Sequence, residues 1–403
     1  MIYAFTSAAL NYLPKARLCL GSIRRHHPDF RLVYALADRL PDGISIEEDC
    51  VDEVIAVDDI PIIQDRSWIF QHSIVELSTA IKPFVLQQLL QRPDCEAVIY
   101  FDPDIVLFSP LDEIVGALNS SSILLTPHQL APERTMDAVI DNEICSLHYG
   151  IFNLGFFAVK SNSIGNSFAQ WWSERLMYFC HDRLDIGLFT DQKWINHAPV
   201  FFDEVTILKE PRFNVATWNI TTREVSGSSI ENIRVFDKPL GFYHFTGFDS
   251  GAHRVMADKY GRDNPAVALL IDWYEQAIVK TEADLLAQQP WFFGRYANGR
   301  PIERWHRELY RDRKDLQAAF PDPFAVDGAL ARGKANGHPR SYCHWLDASG
   351  EIEYARLKGF APGEGTKLLI QEHEQLRAQL SDLKNSLSWR LTRPLRAIFS
   401  RGR

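Results

Sequence analysis

The sequence predicts an α/β fold, a mainly parallel central sheet flanked by helices, with a helical extension on its C-terminal side. Three observations carry that class. Short apolar runs alternate with amphipathic stretches as strand, helix, strand, helix, strand over the first hundred residues. A hydrophobic share of 46% and an aromatic share of 12% in 403 residues supply a large core. The apolar run Val98-Ile99-Tyr100-Phe101 stops at Asp102-Pro103-Asp104, where a proline without an N–H ends a buried strand and leaves two acids past its carboxyl end. Open α/β sheets bind ligands at such ends.

The elements follow in order. Ile2–Thr6 is a short apolar strand. Leu13–His27 carries Leu13, Ala16, Leu20 and Ile23 at helical spacing. Phe30–Leu36 and Val51–Val57 read as strands, and Ser73–Leu90 as one helix with Lys82-Pro83 inside it. Ala97–Phe101, Ile123–Thr126 and Phe152–Val159 extend the sheet. Phe168–Phe179 and Val267–Leu286 read as helices. This partition predicts a main domain over 1–264, an accessory helical or irregular segment over 265–358, a Gly/Pro-rich linker over 359–366, a helix over 367–388 and a basic tail over 389–403. Within the accessory segment, the Arg- and aromatic-rich stretch Trp291–Leu330 reads either as an acceptor-side wall or as a cap over the sheet edge.

Leu369, Leu376 and Leu383 recur every seven residues, with His373, Leu380 and Leu387 at the offset positions. About three heptads suit either a coiled coil, hence a homo-oligomer, or one amphipathic helix docked on the body. In the tail, Arg390, Arg393, Arg396, Arg401 and Arg403 alternate with Trp389, Leu391, Leu395, Ile398 and Phe399. Such a segment suits an anionic membrane surface, with a solvated tail as the plainer alternative.

A formal charge of −9 excludes general nucleic-acid binding. The six cysteines are scattered without a CxxC pair, as in a reduced compartment. The opening MIYAFTS is strand-like, without a basic stretch leading into an apolar one, and no apolar run reaches the length of a spanning helix. The expectation is a cytoplasmic protein, peripheral on the inner face of the plasma membrane if the tail binds there.

Paired carboxylates suit a hard divalent cation shared with a phosphate-bearing substrate. In GFYHFTGFD, His244 follows a strand-like stretch, and Gly247 permits close backbone approach. Two Asp oxygens and one imidazole make a mixed site suited to Mn²⁺, with Mg²⁺ a lesser fit. In FTDQKWIN, Asp191 and Gln192 set a carboxylate beside an amide; an ordinary helix cap is the plainer role. In YGIFNLGFFA, Asn153 and Gly155 interrupt an apolar strand, as a bulge or a substrate contact. Lys82 in STAIKP meets a phosphate or sugar hydroxyl, or ends a helix in solvent.

Taken together and in this order, these segments resemble the GT-A fold nucleotide-sugar glycosyltransferases, most closely the retaining group of glycosyltransferase family 8, which includes glycogenin and the lipopolysaccharide galactosyltransferases. The resemblance covers about residues 1–250. It implies that AFTSAALNY, with Thr6 and Tyr12, holds the nucleotide, and that Asp102 and Asp104 form the DxD motif. Lys82 matches the basic residue preceding that motif, Asn153 and Gly155 an Asn-x-Gly strand, and Asp191, Gln192 and Asn196 a D-Q motif followed by Asn. His244-Phe245-Thr246-Gly247 matches the motif that supplies the third metal ligand. The family often continues this motif with Lys-Pro-Trp, which touches the diphosphate. Here Phe248-Asp249-Ser250-Gly251 stands instead, leaving Lys82 or a later Arg such as Arg254 beside the metal. The terminal SWRLTRPLR resembles the tails of many bacterial cell-surface polysaccharide glycosyltransferases.

The resemblance implies transfer of a sugar, with retention, from a nucleotide-diphosphate sugar to a glycan or lipid-linked glycan acceptor. Mn²⁺ (or Mg²⁺), held by Asp102, Asp104 and His244, would steady the leaving diphosphate. Asp191 is the better nucleophile chemically, whereas family position favours Gln192. Three alternatives remain: an inverting transferase on the same fold, a sugar nucleotidyltransferase and a non-catalytic scaffold. TSAALNYLPKAR lacks the Gly-rich phosphate loop of the second, and the full Asp/Asp/His set counts against the third.

Overall fold

The structure is a computed structural model that describes residues 1–359, apart from residue 42 and residues 47–49, 62–64, 282–284 and 327–340. The described residues fall into two compact units that part between Arg295 and Tyr296.

The first unit is built on a seven-stranded sheet. Its strands are β1 (Ile2–Ala8), β2 (Arg31–Leu36), β3 (Glu53–Ala56), β4 (Ala97–Phe101), β6 (Ile123–Pro127), β7 (Phe152–Lys160) and β10 (Val205–Ile207), in the order β10-β6-β7-β4-β1-β2-β3. Every neighbouring pair is parallel except those made by β7, which runs antiparallel to both β4 and β6. This is the mainly parallel α/β sheet that the sequence predicts. The β6–β7 register shifts between Leu125 and Pro127, where proline cannot donate to the ladder.

Two short antiparallel pairs sit off this sheet. β5 (Ile105–Leu107) pairs with β14 (Phe242–His244), and β8 (His181–Arg183) pairs with β9 (Leu188–Thr190). A third small sheet joins β11 (Val225–Ser226), β12 (Arg234–Val235) and β13 (Lys238–Pro239).

Helices cover both faces of the main sheet. The Leu13–His26 helix has Pro14 in its first turn and Arg24, Arg25 and His26 in its last, where the helix dipole favours positive charge. It buries Leu13, Ala16, Leu20 and Ile23, the face its spacing predicts. On the opposite face, aromatic rings form a chain: Phe5 to Tyr100 (4.8 Å), Tyr100 to Phe157 (5.0 Å) and Phe157 to Trp172 (5.2 Å). Each such side chain contributes about 1.5–3 kcal/mol by leaving water.

Three element readings change. Ser73–Leu90 is two helices, Ile74–Ala80 and Lys82–Leu90, because Pro83 has no N–H to bond back to Thr79 and so opens a new helix. A capping box between Ser73 and Glu76 starts the first. The helix read from Phe168 begins at Ser163, where the Asn162 side chain accepts from the Gly165 N–H at 2.9 Å. The helix read as Val267–Leu286 spans Pro265–Thr281.

In the second unit, the Arg304–Asp312 helix lies against the Glu351–Leu357 helix, joined through Glu308 as described below. The heptads over 367–388 and the tail over 389–403 lie outside the described residues. Among the described residues no helix is long and apolar enough to cross a membrane, and no disulfide joins any of the six cysteines.

Candidate active site

The acidic pair sits where β4 leaves the sheet. The Asp102 N–H donates to the Gly155 carbonyl at 2.7 Å, beyond the last residue of β4, and the Ile105 N–H closes a turn on the Asp102 carbonyl at 3.0 Å. Between them Pro103 blocks further pairing with β7. The chain then enters β5, whose partner is β14 with Ile105 opposite His244. The Phe245 N–H donates to the Asp104 carbonyl at 2.8 Å. This short ribbon carries His244 across a long sequence interval to the two carboxylates. His244 Nε2 lies 3.0 Å from Asp104 Oδ1 and 3.8 Å from Asp102 Oδ2. One candidate ligand atom from each of the three residues fits within 4.8 Å of the others.

The imidazole is held from behind. Asn153 Oδ1 accepts from the Gly155 N–H (3.2 Å) and Asn214 Nδ2 (3.0 Å) and faces His244 Nδ1 at 3.1 Å. With Oδ1 fixed as an acceptor, the network assigns the proton to Nδ1 and leaves the Nε2 lone pair facing two carboxylates. Nε2 is buried and makes no aligned hydrogen bond despite its 3.0 Å approach to Asp104. A lone pair and two anions repel unless a cation, or a second proton, lies between them. The donor set, two carboxylates and one imidazole, therefore suits a divalent ion such as Mn²⁺. The electrostatics agree. Burial alone would push His244 down, but Asp104 and Asp102 bring its pKa above the usual histidine value. Burial alone would raise Asp104, but His244 and Lys15 hold it below the usual carboxylate range.

Lys82 binds this cluster to Asp191. It is 3% exposed and opens the Lys82–Leu90 helix. Its ammonium sits 3.2 Å from Asp102 Oδ1, 3.0 Å from Asp191 Oδ2 and 4.3 Å from the centre of the Tyr100 ring. The Tyr100 hydroxyl donates to the same Asp102 Oδ1 at 2.5 Å. Lys82 is thus no solvent-exposed helix end. Burial would lower its pKa, but the two carboxylates raise it, so it stays charged. Burial raises the Asp191 carboxyl, a rise that Lys82 opposes.

Asp191 does not cap the short helix Lys193–His197, which has no side-chain cap. Gln192 serves as a strap: its Oε1 accepts from the Leu154 N–H (2.9 Å) and its Nε2 donates to the Tyr149 carbonyl (3.1 Å). Asn196 Oδ1 accepts from the Ile151 N–H at 3.0 Å. Thr6 is fully buried near the end of β1 with its hydroxyl unpartnered. The Tyr12 hydroxyl donates to Asp249 Oδ2 at 2.5 Å. Gly247 has φ +72°. Arg254 pairs with Glu275 at 2.6 Å, both at the surface.

The structure brings together Lys82, Asp102, Asp104, Asn153, Gly155, Asp191 and His244 around one centre. Sequence reading passed over Lys15, Tyr100, Asn214 and Asp249. Tyr100 could have been found by strand alternation, which puts it on the same side as Asp102. The others have no sequence signal, because loop and ribbon packing delivers them.

An open α/β sheet with an Asp-Pro-Asp turn and a facing histidine at the carboxyl end of a parallel strand defines the class of site. No protein-family profile matches the chain. It is 27% identical over 174 residues to the uncharacterized protein YfnF of Bacillus subtilis (strain 168), covering 43% of this chain and 57% of the relative. It is 25% identical over 250 residues to the uncharacterized protein YfnD of the same organism, covering 60% and 76%. The match thus spans little more than half the length of YfnF. Among solved structures, the chain is similar to the galactosyltransferase LgtC in complex with donor and acceptor sugar analogues (14% identity, TM-score 0.41, 70% of this chain and 97% of that one). It is also similar to a glycosyltransferase involved in the glycosylation of the major capsid of PBCV-1 (10% identity, TM-score 0.37, 63% and 98%). A third is mouse xyloside xylosyltransferase 1 (12% identity, TM-score 0.36, 61% and 98%).

Proposed function

We propose that this protein transfers a sugar, with retention, from a nucleotide-diphosphate sugar to a glycan or lipid-linked glycan in cell-surface polysaccharide synthesis. The observation that carries the reading is the convergence of Asp102, Asp104 and His244 Nε2 on one point, with Lys82 linking Asp102 to Asp191. Two carboxylates and a lone pair aimed together call for a cation, and a cation beside a charged lysine calls for an anionic substrate.

Asp102, Asp104 and His244 would hold Mn²⁺ or Mg²⁺, which when bound supplies positive charge to a departing diphosphate. The residues do the rest. Asn153 and Asn214 fix the His244 ring, so its lone pair needs no reorganisation. Lys82 pairs with Asp191 at 3.0 Å beside the reacting centre and opposes the rise that burial imposes on its carboxyl. As the anomeric carbon gains positive charge, the Asp191 carboxylate stabilises it or forms the glycosyl ester of a double displacement. Both ends of the Gln192 amide are taken by backbone, which supports Asp191 for this part and Gln192 as its strap. Thr6 and Tyr12 would meet the nucleotide, as the family resemblance implies. The basic, apolar sequence of 389–403 supports attachment to an anionic membrane surface and a lipid-linked acceptor.

The test is incubation of the full chain with Mn²⁺ and a panel of nucleotide-diphosphate sugars. One donor should be turned over, and Asp102→Ala should lose transfer by orders of magnitude with its circular dichroism unchanged. Near-full activity of that variant would remove the metal from the reaction. NMR of the product should show the donor's anomeric configuration; inversion would take Asp191 out of its place beneath the sugar.

A further inference from the structure

Lys15 lies in the first turn of the Leu13–His26 helix and is 6% exposed. Its ammonium sits 2.5 Å from Asp249 Oδ2, and the Tyr12 hydroxyl donates to that same oxygen at 2.5 Å. The Tyr12 and Phe248 ring centres lie 4.3 and 5.8 Å from the ammonium. Two donors from one helix start therefore converge on a single anionic oxygen, in an aromatic lining that strengthens charge interactions. The group lies beside the acidic cluster: Ser22 of the same helix accepts from the Leu107 N–H at 3.0 Å in β5, the strand that follows Asp104, and Asp249 stands five residues after His244.

The anion at this site is unlike its cations. The Asp249 side chain is 51% exposed where that of Lys15 is 7%. Asp249 stands in a turn between Gly247 (φ +72°) and Gly251 (φ +77°), left-handed positions that glycine holds without strain. The turn is closed by its own bonds, Ser250 Oγ to the Gly247 carbonyl (3.1 Å) and Gly251 N–H to the Phe248 carbonyl (3.2 Å). A buried ammonium needs an anion, and here the chain supplies one from a surface turn.

The geometry points to Lys15 and Tyr12 as a preformed oxyanion site for a diphosphate, with Asp249 as the carboxylate that fills it until a phosphoryl group displaces it. This rests on the nucleotide-diphosphate reading above and names which chain cation meets that group. Lys82 is already shared between two buried carboxylates, and Arg254 is paired with Glu275. Of these three cations, Lys15 alone is buried against a counter-anion that sits on a half-exposed turn. A phosphoryl oxygen accepts the same two hydrogen bonds as Asp249 Oδ2 and brings more negative charge.

Isothermal titration of the full chain with inorganic pyrophosphate, in the presence of Mg²⁺, separates this role from a purely structural ion pair. Lys15→Met should weaken pyrophosphate binding tenfold or more. Asp249→Asn should tighten it three- to tenfold, because the competing anion is gone. Weaker or unchanged binding in Asp249→Asn overturns the proposal, and that variant decides the matter if Lys15→Met fails to fold. Wild-type binding that Lys15→Met leaves intact overturns Lys15 alone and leaves the diphosphate reading standing. Absence of pyrophosphate binding by the wild type overturns both.

Discussion

Gly155 owes its identity to His244. A Cβ at Gly155 would lie 2.4 Å from His244 Cε1, 2.8 Å from its Nδ1 and 2.9 Å from Asn153 Oδ1. The ring cannot yield easily, because Nδ1 is held by Asn153 and the Trp218 ring stands edge-on 5.4 Å away. Gly155→Ala should therefore push the imidazole off the two carboxylates. The expected outcome is at least a tenfold loss of Mn²⁺ affinity by titration, with a stability cost of about 1–3 kcal/mol. Unchanged Mn²⁺ affinity would separate His244 from the cation. The sequence shows Asn153 and Gly155 as interruptions of an apolar strand, which is why they stand out. It does not show their use: one orients a ring, and the other makes room for it.

At the scale of elements, local chemistry explains where helices begin and how they are pinned. Pro83 divides Ser73–Leu90, and its effect is to put Lys82 at the head of a new helix, turned into the sheet rather than toward water. In the second unit, Glu308 ties the Arg304–Asp312 helix to the Glu351–Leu357 helix. It meets Arg304 (2.9 Å), Lys358 (2.8 Å) and the Tyr354 hydroxyl (2.7 Å). Burial alone would raise its pKa, but these partners hold it down to about 2. A carboxylate with a lowered folded pKa stabilises the fold above its unfolded pKa of about 4.3, and that stability fades as pH falls toward the folded value. The contribution is on the order of 2 kcal/mol after allowance for the exposed Arg304. Glu308→Gln should lower the melting temperature at pH 7 and narrow its gap to wild type near pH 2–3. A constant gap across that range would show that the ionised form is not what joins the helices.

Across the whole molecule, a cation held at the proposed site would link stability to the site. Asp102 and Asp104 from the turn after β4 and His244 from β14 bring distant parts of the first unit to one point. An ion that binds only the folded state adds about 2.7 kcal/mol at a concentration one hundred times its dissociation constant. Mn²⁺ should therefore raise the melting temperature of the wild type in a concentration-dependent way. The same addition should leave Asp104→Asn nearly unmoved. An equal rise in both would place the ion elsewhere.

The strand–helix alternation of the first hundred residues, the buried end of β4, the acidic pair beyond it and the face buried by Leu13–His26 were determined by the sequence, because each follows from apolar spacing or from a missing proline N–H within a few residues. The antiparallel course of β7, the β5–β14 ribbon that delivers His244, the Asn214–Asn153 brace, the burial of Lys82 between Asp102 and Asp191, and the hold of Asp249 on Lys15 were decided only by tertiary structure. These are contacts between residues far apart in the chain. Their partners are chosen by how the sheet stacks and where the loops return, and no local pattern encodes that.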